Sequence, residues 1–229
     1  ARSLTTDIKS KIALFTNVPL EAVITAKDVD NIYEIPLLFA AEGLDTYILK
    51  KLGLPPGRRR LAPWQALVTR MKNPRDEVTI GVVGKYAGLQ DSYLSLKEAL
   101  KHGGVAHGLR VNICWIESEN LEKGRVERTL GDKDGILVPG GFGIRGIEGK
   151  IRAVTYAREK KVPYFGICLG MQCAAIEFGR NVAGLDGANS SEFDSHTPHR
   201  VFILWRELGP EHDIGGTMRL GEYVCQLEK

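Results

Sequence analysis

From about residue 78 onward the chain alternates short apolar runs with longer stretches in which apolar residues recur every three or four positions. Residues 78–83, 111–116, 136–138 and 162–167 are rich in Val and Ile and read as buried strands. Residues 93–101, 150–160 and 171–178 have helical spacing; for the first of these, Asp91 or Ser92 supplies a cap and Gly103 with Gly104 a stop. A last strand is predicted at 201–205. Strand–helix alternation of this kind predicts an α/β fold, a doubly wound and mostly parallel sheet with helices on both faces. Upstream lie a strand-like run at 12–15, an apolar patch at Val23 and Ile24, and a helix over 35–51 with an apolar face through Leu38, Ala41, Leu44, Tyr47 and Ile48. This small α/β segment is too short to hold a core of its own and reads as the tail of something larger. Pro55-Pro-Gly57, the basic run Arg58–Arg60 and Pro63 mark a solvated linker, followed by a short helix around 64–71. The organisation is therefore a tail at 1–54, a linker at 55–76 and an α/β domain at 77–229.

Composition narrows the class without choosing a function. The 229 residues are 43% hydrophobic and 26% charged, with a formal net charge of +3, and acidic and basic residues are interspersed. This excludes a strong nucleic-acid footprint. No apolar run is long enough to span a bilayer, and no signal peptide opens the sequence. Cys114, Cys168, Cys173 and Cys225 have neither disulfide nor metal spacing, which favours a reducing, cytoplasmic setting and no metal site.

Chemistry concentrates at two glycine-flanked strand ends. Gly166-Ile-Cys168-Leu-Gly170 carries a cysteine through a turn from strand to helix, where free backbone N–H groups and the helix dipole favour negative charge. Nucleophile elbows share this layout. The competing reading is a small buried cysteine filling a strand end. Pro139-Gly-Gly-Phe-Gly143 closes a second strand with almost bare backbone, whose N–H groups could hold the oxyanion of a tetrahedral intermediate; the competing reading is a Gly-rich surface turn. In a parallel sheet both loops would fall at the carboxyl edge. Gly81-Val-Val-Gly84-Lys85 lacks the spacing of a phosphate-binding loop and reads as a strand with glycines for close packing.

Four motifs together, Pro139–Gly143, Gly166–Gln172, Ala188-Asn-Ser-Ser-Glu-Phe193 and Gly215-Gly-Thr-Met-Arg-Leu-Gly221, resemble the glutamine amidotransferase domain of the CTP synthase family. Upstream, Lys11–Val18 and Lys27–Tyr33 resemble the end of that family's synthetase domain, so the likeness covers nearly the whole chain. The resemblance implies amination of UTP to CTP with glutamine and ATP. Cys168 would be the nucleophile, and the Gly141 and Leu169 N–H groups the oxyanion site. Phe142, Gln172 and Glu192 would contact glutamine; without the resemblance, Glu192 would read as an exposed loop carboxylate. Lys11 would lie at the UTP or CTP site, and Lys27, Asp28 and Val29 at the adenine of ATP. The resemblance further implies Mg²⁺ accompanying ATP, held by residues outside this chain, GTP as activator, CTP as feedback inhibitor and a homotetramer. Other class I glutamine amidotransferases and a non-catalytic fragment remain the alternatives.

Two expected parts are missing from these residues. The family's activating histidine and its carboxylate would appear downstream as a His-x-Glu, yet His196, His199 and His212 are the histidines after Cys168 and none begins that motif. The bland reading, structural or incidental, holds for all three. The synthetase's phosphate loop and magnesium carboxylates are also not found in 1–54. The expectation is a chain truncated at both ends, inactive alone. Around residues 195–213 the family tends to have a Pro-Val-Ile type strand, where this chain has Pro198-His-Arg-Val-Phe-Ile-Leu-Trp205.

Overall fold

A computed structural model describes residues 3–85 and 90–203. Two compact units divide the chain, Ala1–Glu77 with Glu98–Val111, and Val78–Lys97 with Asn112–Lys229.

The described part of the first unit's opening is helical, not α/β. Helix α1 (Thr6–Thr16) starts at Thr5, whose hydroxyl accepts from Ile8 N–H at 3.4 Å, and ends at Asn17 in the left-handed region. It contains the run at 12–15 that the sequence predicts as a strand. A four-residue apolar run fits either period, and the local signals decide: the Thr5 cap, Asp7 in the first turn and a Lys11–Asp7 pair at 3.1 Å one turn apart all favour a helix. The predicted helix over 35–51 is two, α2 (Ile35–Ala41) and α3 (Leu44–Lys51), broken where Gly43 adopts φ +83°. Lys9 and Thr25 N–H both bind the Glu42 carboxylate, at 2.5 and 3.2 Å. The predicted helix around 64–71 is α4 (Ala62–Lys72), and its Trp64 indole donates to the Tyr33 carbonyl at 2.7 Å. In the linker Arg59 pairs with Asp45 at 2.7 Å.

Among the described residues the sheet consists of β1 (Asp76–Gly84), β2 (Leu109–Glu117), β3 (Gly135–Val138) and β4 (Tyr164–Gly166) in the order β2-β1-β3-β4. β1 pairs with β3 and β3 with β4 in parallel, with Ile80 opposite Gly135 and Val138 opposite Gly166. After β2 the chain returns to the other side of β1, so the order reverses between β1 and β3, and crevices open at such a switch point beyond the strands' carboxyl ends. Helix α5 (Leu94–His107) follows β1 and runs through Gly103 and Gly104, which the sequence predicts as its end. It stops instead at Gly108, φ +71°. Gly104 serves packing: a Cβ there would lie 2.6 Å from the Val111 side chain and 2.9 Å from the Leu109 carbonyl.

Helices α6 (Ser118–Lys123), α7 (Val126–Leu130), α8 (Ile147–Lys160) and α9 (Leu169–Asn181) flank the sheet. One apolar cluster joins Val83, Ile116, Leu121, Leu130, Ile136 and Val138 to Ala153 and Ala157; a second joins Ile147, Ile151 and Val154 to Leu169, Cys173, Ile176 and Phe193. A short parallel pair, β5 (Asn189–Ser190) and β6 (Arg200–Phe202), completes the described residues. The predicted strand at 201–205 is seen as β6; residues from 204 onward lie outside the described residues.

Among the described residues two charged groups sit inside this packing, and they are matched differently. Glu177 on α9, 1% exposed, accepts from the Arg158 guanidinium at 2.9 and 3.0 Å and from Asn181 at 2.9 Å. Lys150 on α8 is also 1% exposed, and among the described residues its ammonium has no ion-pair partner. Burial pushes its pKa down from 10.5 to about 8, opposed by the neighbouring Cys173. Between those two pH values the unfolded chain binds the extra proton, so stability rises with pH there, and the full penalty acts below about pH 8. Lys150→Met keeps the stem and removes the charge. It is expected to stabilise the protein at pH 7 by up to about 3 kcal/mol and to flatten the rise toward pH 10. Urea unfolding at pH 7 and pH 10 would measure both; a variant less stable at pH 7 would contradict the account.

Candidate active site

Cys168 occupies the turn between β4 and α9 with φ +52° and ψ −106°, a strained pair for any residue with a side chain, costing on the order of 1–3 kcal/mol. The turn is tight on both sides. Ile167 N–H donates to the Val138 carbonyl at 2.9 Å, Gly170 N–H to the Ile167 carbonyl at 2.9 Å and Gln172 N–H to the Cys168 carbonyl at 3.1 Å. A Cβ on Gly166 would lie 2.4 Å from the Gly170 carbonyl carbon, and one on Gly170 only 2.1 Å from the Val138 oxygen, so both positions require glycine. Tyr164 Oη donates to the Gly170 carbonyl at 2.7 Å, and its burial raises its pKa well above the ordinary tyrosine range. The fold thus presents an exposed thiol at a helix N-terminus.

The other thiols differ. Cys173 is fully buried one turn further along α9, and burial pushes it up to about 11, while Cys114 is half-buried on β2. Cys225 lies outside the described residues. All three described cysteines are free.

The glycine loop after β3 lies against the elbow. A Cβ on Gly140 would sit 3.6 Å from Cys168 Cβ, and one on Gly141 would sit 3.3 Å from the Leu169 side chain. Phe142, 48% exposed, projects from this loop. Gly143, at φ +70°, donates its N–H to Glu192 Oε1 at 2.9 Å. Glu192 is half-buried in the turn after β5, where its own N–H donates to Ser190 Oγ at 3.3 Å. Gln172 is half-buried on the first turn of α9. The structure therefore gathers Cys168, Leu169, Gln172, Gly141, Phe142 and Glu192 at one sheet edge. Lys11, Lys27, Asp28 and Val29 belong to the other unit: Lys11 is exposed on α1, Lys27 and Asp28 are exposed in an extended segment, and Val29 is half-buried. His196 and His199 are exposed; the His196 ring meets Ser195 Oγ at 3.1 Å, and the His196 backbone N–H donates to Asp194 Oδ1 at 2.9 Å. His212 and the glycine motif at 215–221 lie outside the described residues.

Sequence reasoning missed two residues. Lys85, directly after β1, donates through Nζ to the Phe142 carbonyl and, at 3.0 Å, to that of Gly143. Burial holds its ammonium below the ordinary lysine range, and the Arg145 charge adds to the effect. Arg145 in turn donates to the Lys85 carbonyl at 3.1 Å. The available signal was position rather than motif: a charged residue at the carboxyl end of the central strand stands at the switch point.

An exposed thiol on a strained strand-to-helix elbow, facing a glycine loop of backbone donors across a parallel-sheet edge, defines an α/β acyl-transfer site of the cysteine type. A sequence profile described as "Glutamine amidotransferase class-I" matches residues 88–228, and one described as "CTP synthase N-terminus" matches residues 1–54. The chain belongs to the class I glutamine amidotransferase family, and within it the similarity is to CTP synthases. It is 60% identical to the CTP synthase of Acidobacterium capsulatum over 99% of this chain and 41% of that protein. It is 58% identical to that of Carboxydothermus hydrogenoformans over 98% and 42%. A solved structure described as the Trypanosoma brucei CTPS glutaminase domain with bound acivicin superposes with a TM-score of 0.52 at 42% identity, covering 56% of this chain and 50% of that one. The chain thus spans about two fifths of the length of the curated relatives it matches.

Proposed function

We propose that the full-length protein is a cytoplasmic CTP synthase, a ligase that aminates UTP with ammonia released from glutamine at the expense of ATP. In this reading residues 1–54 close the synthetase domain, 55–76 link the domains and 77–229 belong to the glutaminase. The observation that carries it is the Cys168 elbow set against the Gly140–Gly143 loop. Similarity to CTP synthases along both units supports the choice of UTP over other acceptors.

Cys168 Sγ would attack the carboxamide carbon of glutamine, and the carbonyl pair would move onto oxygen, where the Gly141 and Leu169 N–H groups donate to it. Collapse expels ammonia and leaves a thioester at Cys168, which water hydrolyses to glutamate and free thiol. Glu192 would receive the substrate's α-ammonium, with Gln172 and Phe142 lining the same pocket. Proton transfer to the departing amine would fall to a histidine in the remaining length that the relatives have. Lys11 would lie at the UTP or CTP site and Lys27, Asp28 and Val29 at the adenine of ATP. Among the described residues no group of His, Cys, Asp and Glu is arranged to hold a metal, so no step is assigned through Mg²⁺ here. Activation by GTP, inhibition by CTP and a homotetrameric assembly belong to the same proposal.

Glutamine labelled with ¹⁵N in its side-chain amide tests the reading. With ATP and UTP, the full-length protein is expected to give CTP carrying the label on its exocyclic amine by mass spectrometry. Glutamine turnover with no labelled CTP would point to another acceptor.

A further inference from the structure

Lys85 and Glu192 grip one peptide of the glycine loop from opposite ends. The Phe142 carbonyl, which takes the Lys85 ammonium, and the Gly143 N–H, which Glu192 Oε1 accepts at 2.9 Å, belong to the same peptide unit. The cation therefore holds the negative end of that dipole and the carboxylate its positive end. Lys85 also takes the next carbonyl, that of Gly143, at 3.0 Å, and its own carbonyl accepts from Arg145 at 3.1 Å. Arg145 Nε lies 3.6 Å from Glu119, which ties this chain of contacts to the start of α6.

Such a grip matters because the loop is otherwise free to choose. Gly140, Gly141 and Gly143 stand within four residues, and glycine populates both signs of φ with little penalty, so peptide planes here turn over cheaply. Gly143 already uses φ +70°. An oxyanion donor acts only if its N–H is aimed before the reaction. Lys85 is partly buried and desolvated, unlike a lysine that swings free in solvent.

We propose that Lys85 is a positioning residue for the oxyanion site: it clamps the Phe142–Gly143 peptide against Glu192 and so limits the orientations open to the neighbouring Gly140–Gly141 peptide, whose N–H is the proposed oxyanion donor. This rests on the amidotransferase reading above and adds a consequence to it. The carboxylate that would meet the substrate ammonium is the one that holds the loop, so occupancy of the glutamine pocket and order of the oxyanion loop are linked.

Two probes of Cys168 in the full-length protein separate this role from a merely structural one. Glutamate γ-semialdehyde adds to the thiol: the S–C bond forms, the carbonyl pair and the thiol proton go to oxygen, and that oxygen occupies the oxyanion site. Iodoacetamide alkylates the same sulfur by displacing iodide, with no tetrahedral oxygen. Lys85→Met is expected to weaken semialdehyde inhibition by about 10²-fold, the scale of losing one oxyanion donor. The rate of iodoacetamide labelling at Cys168 should not change, glutaminase kcat should fall with KM retained, and Lys85→Arg should recover most of the loss. Glu192→Gln keeps an acceptor for Gly143 N–H and is expected to raise KM more than it lowers kcat. Unaltered semialdehyde inhibition in Lys85→Met, or an equal loss toward both probes, would overturn the proposal. A wild-type protein whose Cys168 takes up neither probe would overturn the amidotransferase reading and this proposal with it.

Discussion

Cys168→Ala in the full-length protein is expected to reduce glutamine-dependent CTP formation by about 10⁴-fold or more, the loss typical of removing a covalent nucleophile, while ammonia-dependent formation continues at the wild-type rate. The reasoning is local. The thiol lies exposed at the head of α9, and the chain reaches that position through backbone contacts that alanine leaves intact, with Ile167 N–H on Val138 O and Gln172 N–H on Cys168 O. Under the proposed function, free ammonia would bypass the glutaminase and need only the synthetase site. Initial rates with glutamine and with ammonium chloride, at saturating ATP and UTP, provide the comparison. Equal loss of both activities in a folded variant would refute the division of labour, because it would mean that Cys168 supports the synthetase reaction or its geometry.

Gly170→Ala should be the most damaging single methyl at the elbow. The added carbon would lie 2.1 Å from the Val138 carbonyl oxygen and 2.9 Å from its carbon, and both are main-chain atoms of the central sheet that cannot swing aside. Relief requires α9 to move off β3, which would open the cluster of Leu169, Cys173 and Ile176. The expected cost is roughly 3 kcal/mol or more, or about 10 °C in Tm for a domain of this size. Gly103→Ala is the matched control. Nothing lies within 4 Å of the added carbon, and the residue sits inside α5, so the change is expected to be neutral or to stabilise by up to about 1 kcal/mol. Calorimetric unfolding of the two variants side by side decides the matter; equal Tm values would show that the elbow accommodates the methyl.

The parts of the fold that were legible in the sequence are those where one signal dominates. The four described strands of the sheet are legible because Val- and Ile-rich runs bounded by Gly and Pro admit few other readings, and the elbow is legible because Gly166 and Gly170 bracket the cysteine. Errors arose where two signals compete. The run at 12–15 is too short for its period to be diagnostic, and the Thr5 cap and the Lys11–Asp7 spacing settled it as helix. Gly103 and Gly104 look like a helix stop, yet Gly104 is there because α5 passes too close to Val111 and Leu109 for any side chain. Gly43 was read through as part of one helix, because a lone glycine is tolerated in a helix, and only its positive φ divides α2 from α3. At the site, Lys85 escaped notice for a related reason. Its spacing from Gly81 and Gly84 is not that of a phosphate loop, and its partners, the carbonyls of Phe142 and Gly143, are 57 and 58 residues away and belong to backbone that no side-chain pattern encodes.

The left-handed turn at Cys168 gives that position an evolutionary signature. Its backbone angles suit glycine better than any residue with a side chain, so folding alone pulls the position away from the thiol, and under the proposed function selection for catalysis would be what retains it. In a descendant that had lost glutamine hydrolysis, this codon would be under pressure to drift toward glycine, with a gain in stability, before the surrounding glycines changed at all. Under the proposed function, the residue found there in a relative would therefore record whether its glutaminase is still under selection.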